Sequence, residues 1–137
     1  MQWKKTEKTT DTDEGFAVCK NVSGATLVAG SVVILDITYL KGRNVTTTTS
    51  ANAVWVRGIV KADISAASMG DIICEGVATV NVKTGATAIA VGDPIATYTT
   101  AGKAGLGSGV VGTVIGRALA AVAINTEAAI AVMIGKC

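Results

Sequence analysis

The sequence predicts an all-β fold: a compact β-barrel or sandwich of short strands with an extended N-terminal arm. Three observations carry that prediction. Apolar residues alternate with period two, not 3.6. Turn signals rich in Gly and Asp recur at roughly ten-residue spacing. Ala is common, but β-branched residues and Gly interrupt every window of about 11 residues in which a helix could form.

The arm comes first. Residues 1–14 hold seven charges (Lys4, Lys5, Glu7, Lys8, Asp11, Asp13 and Glu14), and only Met1 and Trp3 are strongly apolar. Such a segment cannot bury enough apolar surface to offset its ordering entropy. We divide the chain into a flexible N-terminal arm over residues 1–15 and a β-barrel or sandwich domain over residues 16–137.

The strands follow. Residues 31–40 set Val33, Leu35, Ile37 and Tyr39 against Val32, Ile34, Asp36 and Thr38. Residues 54–62 place Val54, Val56, Gly58 and Val60 on one side. Residues 76–83 oppose Ala78, Val80 and Val82 to Thr79, Asn81 and Lys83. Residues 94–99 open on Pro94, tolerated because a first strand residue need not donate to the ladder. Residues 110–120 read as a strand carrying Gly112 and Gly116, a sign of a bulge or close backbone approach. Residues 128–135 put Ile130, Val132 and Ile134 on one face. Residues 64–69 suggest a single helical turn.

Between them, Gly30-Ser31, Gly70-Asp71 and Gly92-Asp93 each precede an apolar run, and Gly85 and Gly102 fall between strands. The stretch AGKAGLGSG (101–109) reads as a loop. VAGSVVILD (28–36) and AVGDPIATY (90–98) share one pattern, and each leads through a Thr-rich segment to a Gly-led strand, GIV (58–60) or IGRAL (115–119). Two readings stay open: a duplicated hairpin unit, or the ordinary grammar of turn then strand.

Composition excludes several functions. The chain has 137 residues, enough for one domain with its own core. Hydrophobic residues make up 50%, charged residues 16% and aromatics 4%, so many thin side chains suit strand packing and subunit contacts better than a ligand pocket. A net charge of +2, with Lys4-Lys5 the only adjacent basic pair, leaves no footprint for nucleic acid. Cys19, Cys74 and Cys137 form neither a disulfide framework nor a zinc site, and Cys19 and Cys74 read as core fillers. Residues 104–135 are broken by Arg117, Asn125 and Glu127, so no membrane span is expected.

Catalysis finds little support. There is no histidine, which removes the commonest general base and metal ligand. Asp71 and Asp93 read as turn residues bonding their own backbone. Asp71 and Glu75, at i,i+4, would stand about 13 Å apart on one strand face, beyond paired glycosidase carboxylates. GLGSGV (105–110) lacks the helix and lysine of a phosphate-binding loop. We therefore expect no catalytic residue, no metal and no cofactor.

The candidate interface residues are Trp3, Lys4, Lys5 and Phe16. Trp3 either folds back onto its own domain or anchors in a partner's groove. Burying about 200 Å² of indole contributes roughly 5 kcal/mol, whereas ordering 14 backbone residues costs roughly 14–28 kcal/mol. Trp3 alone cannot hold the arm; part of it stays loose, or its backbone joins a neighbour's sheet edge. Trp55 and Tyr39 read as core or subunit-contact residues.

The ordered segments VSGATLVAGSVVIL (22–35), GIVKADISAASMGDIICEGVATV (58–80), AIAVGDPIATYTTAGKA (88–104), VIGRALAA (114–121) and AAIAVMIG (128–135) resemble the small capsid decoration, or cement, proteins of bacteriophages. The match covers about residues 16 to 137 and leaves out the arm. The resemblance implies a β-rich domain on the virion exterior, made in the host bacterial cytoplasm. It implies binding to the major capsid protein as a homo-oligomer, with a trimer favoured, and carries no catalytic residues. The alternative is a head-fibre or adhesin module that binds a host-surface glycan, with Trp55, Tyr39 and Tyr98 as its aromatic face.

Overall fold

A computed structural model describes residues 15–36 and 43–135. Among these there is no helix, and nine strands carry the fold: β1 (Gly15–Asn21), β2 (Val32–Leu35), β3 (Asn44–Thr46), β4 (Val56–Val60), β5 (Met69–Lys83), β6 (Pro94–Thr97), β7 (Ala104–Leu106), β8 (Gly116–Ala118) and β9 (Glu127–Gly135). The all-β expectation holds.

The pairings close two five-strand rings that share β5. In the first, the order is β1-β3-β2-β4-β5, and β5 returns to β1; in the second it is β5-β7-β6-β8-β9, and β9 returns to β5. In each ring one contact is parallel, β1 with β3 or β5 with β7, and the rest are antiparallel. Closure leaves few unpaired strand edges, which suits a chain whose strands are short and thinly charged.

The rings are copies of one plan, which decides between the two readings of the repeat. Leu27 and Ile64 exchange both backbone hydrogen bonds (2.9 and 2.8 Å), and so do Ile89 and Val122 (2.9 Å each). The Gly30 N–H donates to the Val60 carbonyl at 2.8 Å, and the Gly92 N–H to that of Ala118 at 2.7 Å. Both glycines stand at positive φ, 89° and 93°, which a tight turn requires and other residues resist. The first half of β5 serves the first ring and its second half the second ring. Gly15 of β1 and Gly135 of β9 both pair with Glu75, so β9 and β1 meet end to end opposite the unbroken β5. A pseudo-twofold axis therefore passes beside Glu75 and relates the lobes.

Alternation fills both lobes. Cys19, Leu27, Val33, Val45, Val60, Ile64 and Ile72 pack inside the first. The second cluster holds Val82, Ile89, Ile95, Val122 and Ile130, and continues into Val32, Val56, Ile59 and Ile73, which join the lobes. Cys19 and Cys74 are buried thiols outside any disulfide, as core fillers should be.

Several sequence expectations are corrected. Residues 64–69 form no helical turn: Ile64 gives both backbone groups to Leu27, and Ala67 sits at φ 63°, a left-handed turn. Residues 110–120 are not one strand. Gly109 (φ 82°) and Gly112 (φ 91°) fold the segment into a turn, and only Gly116–Ala118 pairs. The loop expected over 101–109 contains β7. Gly70 and Asp71 lie within β5, which continues through Gly76 by a kink at φ 101°. Asp93 does behave as a turn residue; its carboxylate accepts from the Ala90 N–H at 2.8 Å.

Candidate interaction surface

Of the expected interface residues, Trp3, Lys4 and Lys5 lie outside the described residues, as do Tyr39 and Cys137. Phe16 is on the outer face of β1, 46% exposed, with the Lys61 ammonium 4.6 Å from its ring centroid. Val18 and Met69 share that exposed face, among Lys20, Lys61, Asp63 and Asp71. Asp71 and Glu75 are both exposed on β5 and make no carboxylate pair.

The polar interior is structural. The Asn21 amide donates to the carbonyls of Ala25 (2.7 Å) and Ile64 (2.9 Å) and accepts from the Ser23 N–H (2.9 Å). Thr84 plays the matching part in the second lobe, donating to the Thr126 carbonyl and accepting from its N–H. The Arg57 guanidinium donates to the Cys74 sulfur at 3.1 Å. Burial pushes the Cys19 thiol above its ordinary value, against the opposing pull of Arg57 and Arg43. A protonated, enclosed thiol is a poor nucleophile. Among the described residues no three Cys, Asp or Glu side chains gather as a metal site.

Among the described residues, the most exposed apolar surface is one that the sequence reading touched only at Trp55, named as a core or subunit-contact residue. The β3–β4 connection presents Val54 (56% exposed) and Trp55 (52%); the β7–β8 connection presents Val110 (58%) and Val111 (96%). These connections occupy equivalent places in the two lobes. They meet where the Ser108 N–H donates to the Asn52 side-chain oxygen at 3.0 Å. Thr97 of β6 holds the first connection: its hydroxyl donates to the Ser50 carbonyl and accepts from the Ala53 N–H, each at 2.8 Å. The signal available in the sequence was Gly109 and Gly112 bracketing two valines, which argues for a protruding turn over a strand. Tyr98 joins no such surface, because its ring packs over the backbone of Gly105.

No protein-family model and no curated protein matches the sequence. A solved structure does: the N base of head fiber gp8.5 of bacteriophage phi29, at 14% identity, covering 90% of this chain and 98% of that chain with a TM-score of 0.56. What the two share is the fold, along nearly their whole lengths.

Proposed function

We propose that the chain is a structural protein of a bacteriophage head. Within that class we read it as a decoration, or cement, protein. It binds the outer surface of the assembled major-capsid-protein lattice and stabilises the head. The observation that carries the reading is the fold likeness to a phage head-fibre base across 98% of that base. Closed rings, buried thiols and exposed apolar turns fit a protein that works by contact and catalyses nothing. Copies associate, with three the favoured number, and each adds weak contacts across seams between capsid subunits. After the first contact the others act at high effective concentration, and binding only the assembled shell raises its stability by mass action.

The second reading, a head-fibre module, is favoured by the identity of that same neighbour. Its glycan-binding form needs converging aromatics, and Tyr98 packed on Gly105 does not supply one.

The test mixes purified protein with undecorated shells. Cement predicts saturable binding at a ratio tied to capsid subunits and a higher shell melting temperature. Binding to a glycan array with no binding to shells would move the protein to the adhesin class.

A further inference from the structure

The chain enters its first strand beside an apolar groove. Gly15 opens β1 opposite Glu75. From there Phe16 and Val18 stand on the outer face of β1, and Met69 joins them from β5. Val18, Ile64, Met69 and Gly70 wall a groove of about 440 Å³. Gly70 shapes it, because no Cβ fits there against the Ile64 side chain. Apolar side chains already held on paired strands lose little entropy on being covered.

Reach and charge order identify the occupant. Trp3 stands twelve residues before Gly15, a span of up to about 40 Å when extended. The groove lies about 13 Å along β1, where Cys19 pairs with Gly70. The arm therefore reaches it with slack for a reversal. In the arm, Asp11, Asp13 and Glu14 are next to the body, and Lys4 and Lys5 are next to Trp3. The face carries the complementary charges in the same order. The Lys61 ammonium lies over the Phe16 ring, one residue from the point of entry. The exposed carboxylates of Asp63 and Asp71 border the groove. Other grooves lack this match. The one between Ala29, Val60, Val77 and Thr79 carries Lys61 and no carboxylate, which disfavours Lys4 and Lys5. The one between Leu27, Val28, Thr47 and Gly102 is without charge.

Only the residues in contact need ordering. Closing the loop from Trp3 to Gly15 costs free energy that grows with the logarithm of its length, so one buried indole offsets it, although it cannot order the whole arm. The tether also favours the chain's own arm over that of a second copy, which competes only at roughly millimolar concentration.

We propose that the chain's own arm folds back onto this face, with Trp3 seated on Val18 and Met69 and with Lys4 and Lys5 against Asp63 and Asp71. The inference is independent of the head reading, because no other protein enters it.

The experiment follows Trp3 fluorescence in the full chain carrying Trp55→Phe, which leaves Trp3 as its one indole. Acrylamide quenching is expected to be several-fold weaker in buffer than in urea, with emission shifted to the blue. Met69→Lys and Val18→Lys each change a groove residue that is 48% exposed. Thermal melting checks that they fold, and either one suffices if the other does not. Each should raise quenching to near the urea value, and Asp71→Lys should act in the same direction. Val111→Lys, at a position 96% exposed between β7 and β8, should change nothing. Protection that stays constant over about a hundredfold range of concentration supports the chain's own arm. Protection that grows with concentration overturns the proposal in favour of a second copy. Equal quenching in buffer and urea, or protection untouched by both groove variants, overturns it as well. An indole exposed in the free protein and shielded only when undecorated shells are added also overturns it, and gives the arm to the capsid.

Discussion

No Cβ fits between Gly116 and the carbonyl oxygen of Met133, because β8 lies against β9 there at backbone distance. Gly58 stands in the same relation to the Ile73 carbonyl in the first lobe. Gly92 needs only its positive φ, with open space around it.

These glycines therefore rank by mechanism. Gly116→Ala must push two strands apart and is expected to lose about 1–3 kcal/mol. Gly92→Ala pays only backbone strain, about 1 kcal/mol. Urea unfolding of both variants checks the order; a Gly92→Ala loss exceeding that of Gly116→Ala would contradict the close approach.

Asn21 is fully buried, and its side chain satisfies three backbone groups in the first lobe. Asn21→Ala leaves the Ile64 carbonyl without that partner and is expected to destabilise by about 2–3 kcal/mol. Its melting temperature should fall further than that of Ser23→Ala, whose hydroxyl is at the exposed end of the same network.

Cys19 links stability to alkaline pH. Its folded thiol is held above the ordinary value of 9.0. Below that value both states keep the proton and the contribution is whole. As pH rises past it the unfolded chain ionises first, and stability falls until the folded thiol titrates too. Cys19→Ser should flatten the decline in a pH series of unfolding midpoints. Under native conditions a thiol reagent should leave Cys19 unmodified.

How much of this was legible in the sequence depends on how far each signal was local. VAGSVVILD and AVGDPIATY raised the repeat as one of two readings because a positive-φ glycine followed by alternation is written into one short window. The three-residue strands β3 and β7 could not be seen that way: Asn44–Thr46 and Ala104–Leu106 are too short to display a period, and pairing across the ring creates them. Ile64–Met69 looked helical because Ala propensity is local, whereas the bridge to Leu27 that overrides it comes from a distant part of the chain. Gly76 read as a strand start, yet β5 passes through it, since the ladder to β9 on one side and to β1 on the other holds the kink. The exposed turn between β7 and β8 was missed for a related reason. Val110 and Val111 read as the start of a strand over 110–120, whereas the turn fixed by Thr113 and the contact with Asn52 set them outward.

Thr97 connects the interior to the exposed β3–β4 connection. Thr97→Val keeps the shape and removes both side-chain bonds to the β3–β4 connection. The expected loss is about 1–2 kcal/mol, with faster amide exchange confined to residues 50–55. Uniformly faster exchange would instead mean that the connection is not a local unit.

The end-to-end meeting of β9 and β1 at Glu75 has a consequence for cleavage. Exposed glycine-flanked tips such as that at Val111 are where a protease cuts first. A cut there severs the backbone but not the architecture. The released portion carries β8 and the whole of β9, and β9 remains clasped along β5 from Glu75 to Lys83. The two pieces stay married under native conditions and separate only in denaturant.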